Sequence, residues 1–436
     1  MHIVLANQWF PPESGWGGVG MYNFVLARAY HALGHQVSVI AARPSDAVPA
    51  AHDGDGILVQ RLRVRDAYRL RRLPLLGRYV RPLQQLAYSR RVAAALRMLH
   101  HRTPLDVVEF AEVGAEGFFY ARAPQAAVVV RCHTPTAVLA RSYTPDEMPF
   151  DTRLSARCEF DVVRRAHALT APSHAMAKVI EAEAHLPAGA VHVIPNALPV
   201  SAVMAQDPAL SPSGSIDAAG ESGNPYGLPL TPDDNAGGTL TVLFVGRLDR
   251  VKGVGVLLAA VPEVLRACPA ARFLFAGEDR RAAHGRSQRG VLAAQMTELG
   301  VSASVAFLGA VPQAELGRLY RAAALCVVPS LLYESFSYTC AQAMAAGKAV
   351  VASRSGGIPE TVADGETGLL VAPGSVPELA AAIIRLLRDP ELRARMGRAG
   401  RAKVAREYDP LRVARLNLDV YESARAQFRT SLTASH

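Results

Sequence analysis

A chain of 436 residues, half of them hydrophobic and 19% charged, is too long for one ordinary domain, and its composition excludes global disorder. It contains no run of about 18 apolar residues that could span a membrane. The five cysteines (Cys132, Cys158, Cys268, Cys326, Cys340) lack CxxC spacing, which argues against a metal site or a disulfide framework and for a reducing cytosol.

The N-terminus, MHIVLANQWFPP, has too short an apolar run for a signal peptide and reads as a first strand over residues 2–7. The loop Gln8–Gly20 follows, then a helix from about Met21 to Leu33 and a second strand, QVSVIAA. Gly17-Gly18-Val19-Gly20 therefore stands at the carboxyl end of a strand and opens a helix, where a phosphate can be held, although a Gly-rich loop alone is also an ordinary connection. Asp53-Gly54-Asp55 fits the D-x-D pattern of metal-dependent sugar transfer but has no hairpin signal after it and reads as a turn.

The net charge of +9 is uneven: Arg61–Arg91 holds ten arginines against the single Asp66. Two readings stand, a basic amphipathic surface for anionic lipid or an acidic substrate, and a solvated face of an Arg-rich chain. No RNP, zinc-finger or helix-turn-helix signature accompanies the charge, so nucleic acid is not an expected partner. Further strands are expected at Leu105–Phe110, Ala127–Cys132, Ala168–Thr170 and Val191–Ile194, separated by helices around Ser89–His100, Leu154–Ala166 and Ala175–Ala184. The first domain, residues 1–200, ends near Pro199, and the Gly/Pro/Ser/Asp-rich segment 205–239 reads as a flexible linker or loop.

A second alternation occupies residues 240–409: strands at Leu240–Val245, Ala271–Ala276, Val305–Leu308, Leu325–Val328 and Ala349–Ala352, with helices between and after them. A last helix from about Pro410, within 410–436, is expected to pack back on the first domain. Alternation of this kind implies two Rossmann-like α/β domains, with a cleft between them as the expected ligand site. Within the second domain, residues 327–374 run strand, polar loop with Glu334, Ala-rich helix, strand, then Gly356-Gly357, where backbone must approach something closely.

At this point the motifs PPESGWGGVG, RCHTP, TAPSHA, VIPNA, VGRLDRVKG, FLFAGE, FLGAV, PSLLYESF and GGIPETVADGETGLLV occur in an order that resembles the retaining glycosyltransferases of family four, with the GT-B fold. They cover the chain from Asn7 to about Gly374. The resemblance implies a nucleotide-diphosphate sugar as donor, no tightly bound cofactor and no required metal. Arg247 and Lys252 then clamp the diphosphate; in chemical terms, protein cations must stabilise the charge growing on that leaving group. Glu334 matches the first acid of the family's E-x7-E motif and contacts donor-sugar hydroxyls. The amides of Phe336, Ser337, Tyr338 and Thr339 face sugar oxygens and the distal phosphate, and Gly17 and Gly18 face the donor from the first domain.

Two positions depart from the family pattern. Ser337 stands where the family usually has glycine. Gln342 replaces the second glutamate, which accepts hydrogen bonds from the nucleotide ribose; at 1.5 Å per residue the two motif positions lie roughly 12 Å apart. A neutral hydrogen bond there is weaker by about 1 kcal/mol, which predicts weaker donor binding. His133, at a strand end, matches the family histidine that reaches the donor sugar, although a lone histidine can equally be structural. Glu109 and Glu112, expected to end the fourth strand and face the cleft, could orient an acceptor hydroxyl or cap the next helix. No G-x-S-x-G motif or Cys–His pair points to covalent catalysis.

The expectation is a cytosolic-face enzyme that transfers a sugar with retention to a glycan, a lipid-linked acceptor or another hydroxyl. Arg61–Arg91 would then rest on the inner face of the cell membrane, in polysaccharide or glycolipid synthesis. A small soluble acceptor, such as a natural product or a polyol, is the alternative. A catalytically weak sugar-nucleotide-binding scaffold is the rival of another class, motivated by Gln342 and Ser337.

Overall fold

The computed structural model describes residues 1–13, 16–43, 51–54, 56–64, 77–144, 148, 150–200, 240–279 and 287–434. The chain divides into two α/β units, Met1–Ala197 with Tyr408–His436, and Leu198–Glu407. The 205–239 segment expected as a linker lies outside the described residues, as do residues 65–76 of the basic stretch.

In the first unit, strands β1 (His2–Ala6), β2 (Gln36–Arg43), β3 (Ala51–Gly54), β4 (Ile57–Arg63), β5 (Val107–Ala111), β6 (Ala127–Arg131), β7 (Ala168–Ala171) and β8 (Val191–Val193) form one sheet. Its order is β3-β4-β2-β1-β5-β6-β7-β8. Only β3 runs antiparallel to its neighbour. Every residue of β1, β5 and β6 is buried, the mark of a sheet covered on both faces, and each strand carries one buried polar residue, His2, Glu109 and Arg131. The order reverses at β1, which lies between β2 and β5; loops leaving the carboxyl ends of strands diverge there and make room for a ligand. Gly17 ends that loop as the N-cap and Gly18 opens the helix Gly18–Ala32, three residues before the start expected at Met21.

Asp53 and Gly54 belong to a β3–β4 hairpin, which corrects the reading of a turn without one; Asp55 is outside the described residues. Strand β4 (ILVQRLR) was not expected because arginines interrupt its alternation. Arg61 is 3% exposed, donates to the Phe10 carbonyl at 3.2 Å and pairs with Glu13, so this residue is not part of a basic surface. The helix expected near Ser89 begins at Val80, because Pro82 falls in its first turn, where a missing N–H costs nothing. The C-terminal helix, Pro410–Ala434, lies against helix Gly18–Ala32 and strands β5, β6 and β7.

The second unit is a parallel sheet of β9 (Leu240–Val245), β10 (Ala271–Ala276), β11 (Val305–Gly309), β12 (Leu325–Val328), β13 (Ala349–Ser353) and β14 (Gly368–Val371), in the order β11-β10-β9-β12-β13-β14. Its core joins Phe244, Phe273 and Phe275 to the apolar stripe of helix Val254–Ala267 (Leu257, Leu258, Val261, Val264) and to that of helix Val376–Arg388 (Leu379, Ile383, Leu386). Here the order reverses between β9 and β12, so the loops GRLDRVKG and PSLLYESF leave adjacent strand ends.

Candidate active site

Two close backbone approaches bring those loops together. Gly253 has φ 73°, and a Cβ on it would lie 1.8 Å from the Pro329 carbonyl oxygen, so only glycine fits beside the end of β12. The amides of Leu331 and Leu332 donate to the Val251 carbonyl at 2.8 and 3.0 Å, fastening one loop to the other. Asp249 caps the short 3-10 turn Arg250–Lys252 by accepting from the Lys252 amide at 3.0 Å. The turn delivers the Lys252 ammonium to Glu334, Nζ to Oε1 at 2.5 Å, and the Ser330 hydroxyl donates to the same oxygen at 2.8 Å.

The close approach expected at Gly356-Gly357 is to the backbone of Glu334. The Gly357 amide donates to the Glu334 carbonyl at 2.6 Å, and a Cβ on Gly356 would lie 2.1 Å from that oxygen. Arg247 Nη2 is 3.2 Å from Asp249 Oδ2. Each of the two cations expected to clamp a diphosphate thus has a carboxylate beside it, Glu334 for Lys252 and Asp249 for Arg247.

Ser337 is the N-cap of helix Tyr338–Ala345, its hydroxyl accepting from the Cys340 amide at 3.3 Å. Phe336 packs edge-on against Tyr338 with ring centroids 5.2 Å apart, and the Thr339 hydroxyl donates to the Val245 carbonyl at 3.4 Å, holding the helix start at the end of β9. A helix N-terminus beside Lys252 and Arg247 gathers donors and positive charge in one place, the chemistry an anion needs. Gln342 is buried on the same helix, and its side-chain carbonyl accepts from the Tyr320 hydroxyl at 3.2 Å. Sequence reasoning missed Ser330, Asp249 and Tyr320; a Pro-Ser pair closing a strand was the available signal for the first.

In the first unit His133 follows β6 and is buried, 6% exposed. Burial, and then the charge of Arg131, push its imidazole down to about 3, so it is neutral near pH 7. Its ring stands edge-to-face on Tyr22 with centroids 5.2 Å apart. Its amide donates to Glu112 Oε2 at 2.7 Å. Glu159 accepts from the Thr136 hydroxyl at 2.7 Å and from the amides of Thr136 and Gly114 at 2.8 and 3.1 Å. Glu116 accepts from the Gln8 amide at 2.9 Å. Three buried carboxyls therefore hold the backbone after β1, β5 and β6. Burial above all pushes Glu112 and Glu116 up to about 8, with the neighbouring Glu159 adding to the effect on Glu112 and Glu112 to that on Glu116.

The cleft-facing expectation for Glu109 and Glu112 is corrected. Glu109 lies within β5, 3% exposed, and its Oε2 accepts from the hydroxyls of Tyr421 at 2.7 Å and Tyr22 at 3.2 Å. Glu112 is fully buried and holds the backbone of His133. Both are enclosed by residues far away in sequence. Among the described residues no group of three or more His, Cys, Asp or Glu side chains is arranged to hold a metal ion, and no helix is long and apolar enough to cross a membrane.

Sucrose-phosphate synthase from Thermosynechococcus elongatus superposes on this chain with a TM-score of 0.77 at 23% identity, covering 98% of this chain and 99% of that one. HepE of Anabaena in complex with UDP-glucose gives 0.68 at 20% identity, covering 97% and 100%. Two Rossmann-like units in this arrangement of strands define the GT-B fold. Residues 233–403 match the family described as glycosyl transferases group 1 and residues 16–201 the one described as glycosyltransferase family 4. The chain belongs to the family-four glycosyltransferases.

Among curated relatives, a D-inositol 3-phosphate glycosyltransferase of Segniliparus rotundus is 43% identical over 165 residues, 38% of this chain and 36% of the relative. A glycogen synthase of Mycobacterium tuberculosis is 35% identical over 188 residues, 43% of this chain and 44% of the relative. The matched stretches span less than half the length of either relative.

Proposed function

We propose that this protein is a retaining glycosyltransferase that moves a sugar from a nucleotide diphosphate to a hydroxyl acceptor bound through its first unit. The observation that carries the reading is the pairing of Lys252 with Glu334 where β9 and β12 diverge, beside Arg247 and the helix that starts at Tyr338. On donor binding, Lys252 and Arg247 take the diphosphate oxygens and stabilise the charge that grows as the glycosidic bond breaks. Glu334, released from Lys252, accepts hydrogen bonds from the sugar hydroxyls. Neutral His133 and the Gly17-Gly18 turn of the first unit are assigned to the donor sugar on the motif match alone. The incoming hydroxyl attacks on the face the phosphate leaves, and the departing phosphate takes its proton. The reading needs no tightly bound cofactor or metal.

HepE is in complex with UDP-glucose, which supports a nucleotide-diphosphate sugar as the donor here. A glycan or lipid-linked acceptor at the inner membrane face fits the arginines of α-helix Val80–Arg102 and its exposed Leu83 and Met98. Part of that charge is engaged, however: Arg81 lies over Phe150 and Arg90 over Phe119, and Arg78, just before the helix, pairs with Asp151. The name of the Segniliparus relative favours a second reading, a small polyol phosphate as acceptor.

A thermal-shift screen with UDP, GDP, ADP and TDP tests the donor site, since a nucleotide product that binds the folded state raises its melting temperature. Turnover of the sugar donor of the stabilising nucleotide then separates an enzyme from a scaffold. Binding without turnover or donor hydrolysis would overturn the enzymatic reading. Sedimentation with anionic phosphatidylglycerol vesicles at low salt decides between the lipid and the soluble acceptor.

A further inference from the structure

The first unit holds a buried polar network that the transfer chemistry does not use. Tyr22 and Tyr30 lie on helix Gly18–Ala32, Glu109 on β5 and Tyr421 on the C-terminal helix, and the three tyrosines are each 0% exposed. Tyr421 and Tyr22 both donate to Glu109 Oε2, and the hydroxyls of Tyr421 and Tyr30 are hydrogen-bonded at 3.0 Å. A carboxyl taken out of water needs such donors, and removing one leaves it under-satisfied.

Tyr22 has a second task. Its ring lies under the Arg131 guanidinium, 4.6 Å from the centroid, and against the imidazole of His133. Arg131 is itself fully buried, held through Nη2 by the Ile194 carbonyl and Asn196 Oδ1, each at 2.7 Å. The His133 amide is fixed by Glu112, and among the described residues the aromatic ring against its imidazole is that of Tyr22. The ring position of Tyr22 in turn depends on the hydroxyl it gives to Glu109, whose shorter bond comes from Tyr421.

We infer that Tyr421, on the C-terminal helix, is a positioning residue for His133, acting through Glu109 and Tyr22. The chain reaches that helix only after completing the second unit, so a contact formed at residue 421 adjusts a side chain at residue 133. The inference rests on the role given to His133 above for its kinetic consequence, but not for its structural one.

The test compares the full-length protein with Tyr421→Phe, which removes one hydroxyl and keeps the ring, and with Tyr30→Phe, which leaves both donors on Glu109 in place. The His133 imidazole proton resonance, assigned by its loss in His133→Ala, is expected to shift in Tyr421→Phe and to stay in Tyr30→Phe. Turnover is expected to fall about tenfold in Tyr421→Phe with donor KM little changed, and the further loss should vanish when His133 is already alanine. An unmoved resonance in folded Tyr421→Phe overturns the inference, as does a tenfold loss that persists without His133. Should Tyr421→Phe fail to fold, Tyr22→Phe removes the other donor, and the same shift or its absence decides. If the wild type transfers no sugar, the resonance alone still decides, and the two failures remain distinct.

Discussion

Lys252 and Glu334, 82 residues apart in sequence, form an ion pair of 2.5 Å at the divergence of β9 and β12. Side-chain exposures of 24% and 12% keep the pair partly screened, so it adds modest stability while holding both groups at the proposed donor site. Lys252→Ala is therefore expected to cost about 1–2 kcal/mol in urea unfolding. It should also lower kcat/KM for the donor by about 100-fold, with Arg247→Ala acting in the same direction. Turnover unchanged in both variants would sink the diphosphate clamp.

The pair depends on backbone that only glycine allows. Gly356 has φ 56°, and an added Cβ would lie 2.1 Å from the Glu334 carbonyl oxygen. Gly356→Ala must then push the Glu334 loop away and adopt an unfavourable φ, a loss of about 3 kcal/mol or more. Donor binding measured by calorimetry should fall further than it does for a surface substitution of equal destabilisation. Full affinity in a folded Gly356→Ala would mean that the loop position is not what holds Glu334 in place.

Ser337, which departs from the family's glycine, has a local job: it caps helix Tyr338–Ala345 through the Cys340 amide. Ser337→Ala is expected to cost about 1 kcal/mol and Ser337→Gly only a few tenths, read from thermal unfolding. If the serine instead narrows the sugar pocket, Ser337→Gly will broaden donor choice while leaving stability nearly unchanged.

Much of the second unit could be read from the chain because its central strands β12 and β13 are buried throughout and appear as short apolar runs between loops. The roles proposed for Arg247, Lys252 and Glu334 came from motif order. What joins them, the approach of Gly253 to Pro329, depends on a dihedral angle and a packing distance that no side-chain pattern records. Strand β4 escaped notice because Arg61 sits where an apolar residue belongs, and only Glu13 and the Phe10 carbonyl make that burial tolerable. Glu109 was misplaced for the same kind of reason: its donor Tyr421 lies 312 residues away.

Gln342 was expected to weaken donor binding by replacing a charged acceptor. In the fold its carbonyl already accepts from Tyr320, which leaves one lone pair of that oxygen and the amide NH2 for a ligand. Tyr320→Phe should cost about 1 kcal/mol of stability by removing that donor. Gln342→Glu keeps the acceptor for Tyr320 and should retain or raise affinity for the nucleotide diphosphate, measured by titration calorimetry. Inactivation by Gln342→Glu would show that the NH2 donor is itself required.

The buried carboxyls of the first unit set the last expectation. Glu112 and Glu116 ionise near 4.5 in an unfolded chain but hold their protons to about 8 when folded. Between those values the folded state binds more protons, so stability falls as pH rises from about 4.5 to about 8 and levels off above. His133 acts in the opposite sense: depressed from 6.5 to about 3, it costs stability only as pH falls below 6.5. The two effects oppose one another in mild acid, and from pH 6.5 to 8 the carboxyls act without the histidine. Melting temperature should therefore decline across that upper window. Glu112→Gln keeps a carbonyl to accept from the His133 amide and cannot ionise, so it should flatten the decline. Calorimetric scans at half-unit steps check both points, and a melting temperature that rises from pH 6.5 to 8 would show that these carboxyls are already ionised in the fold.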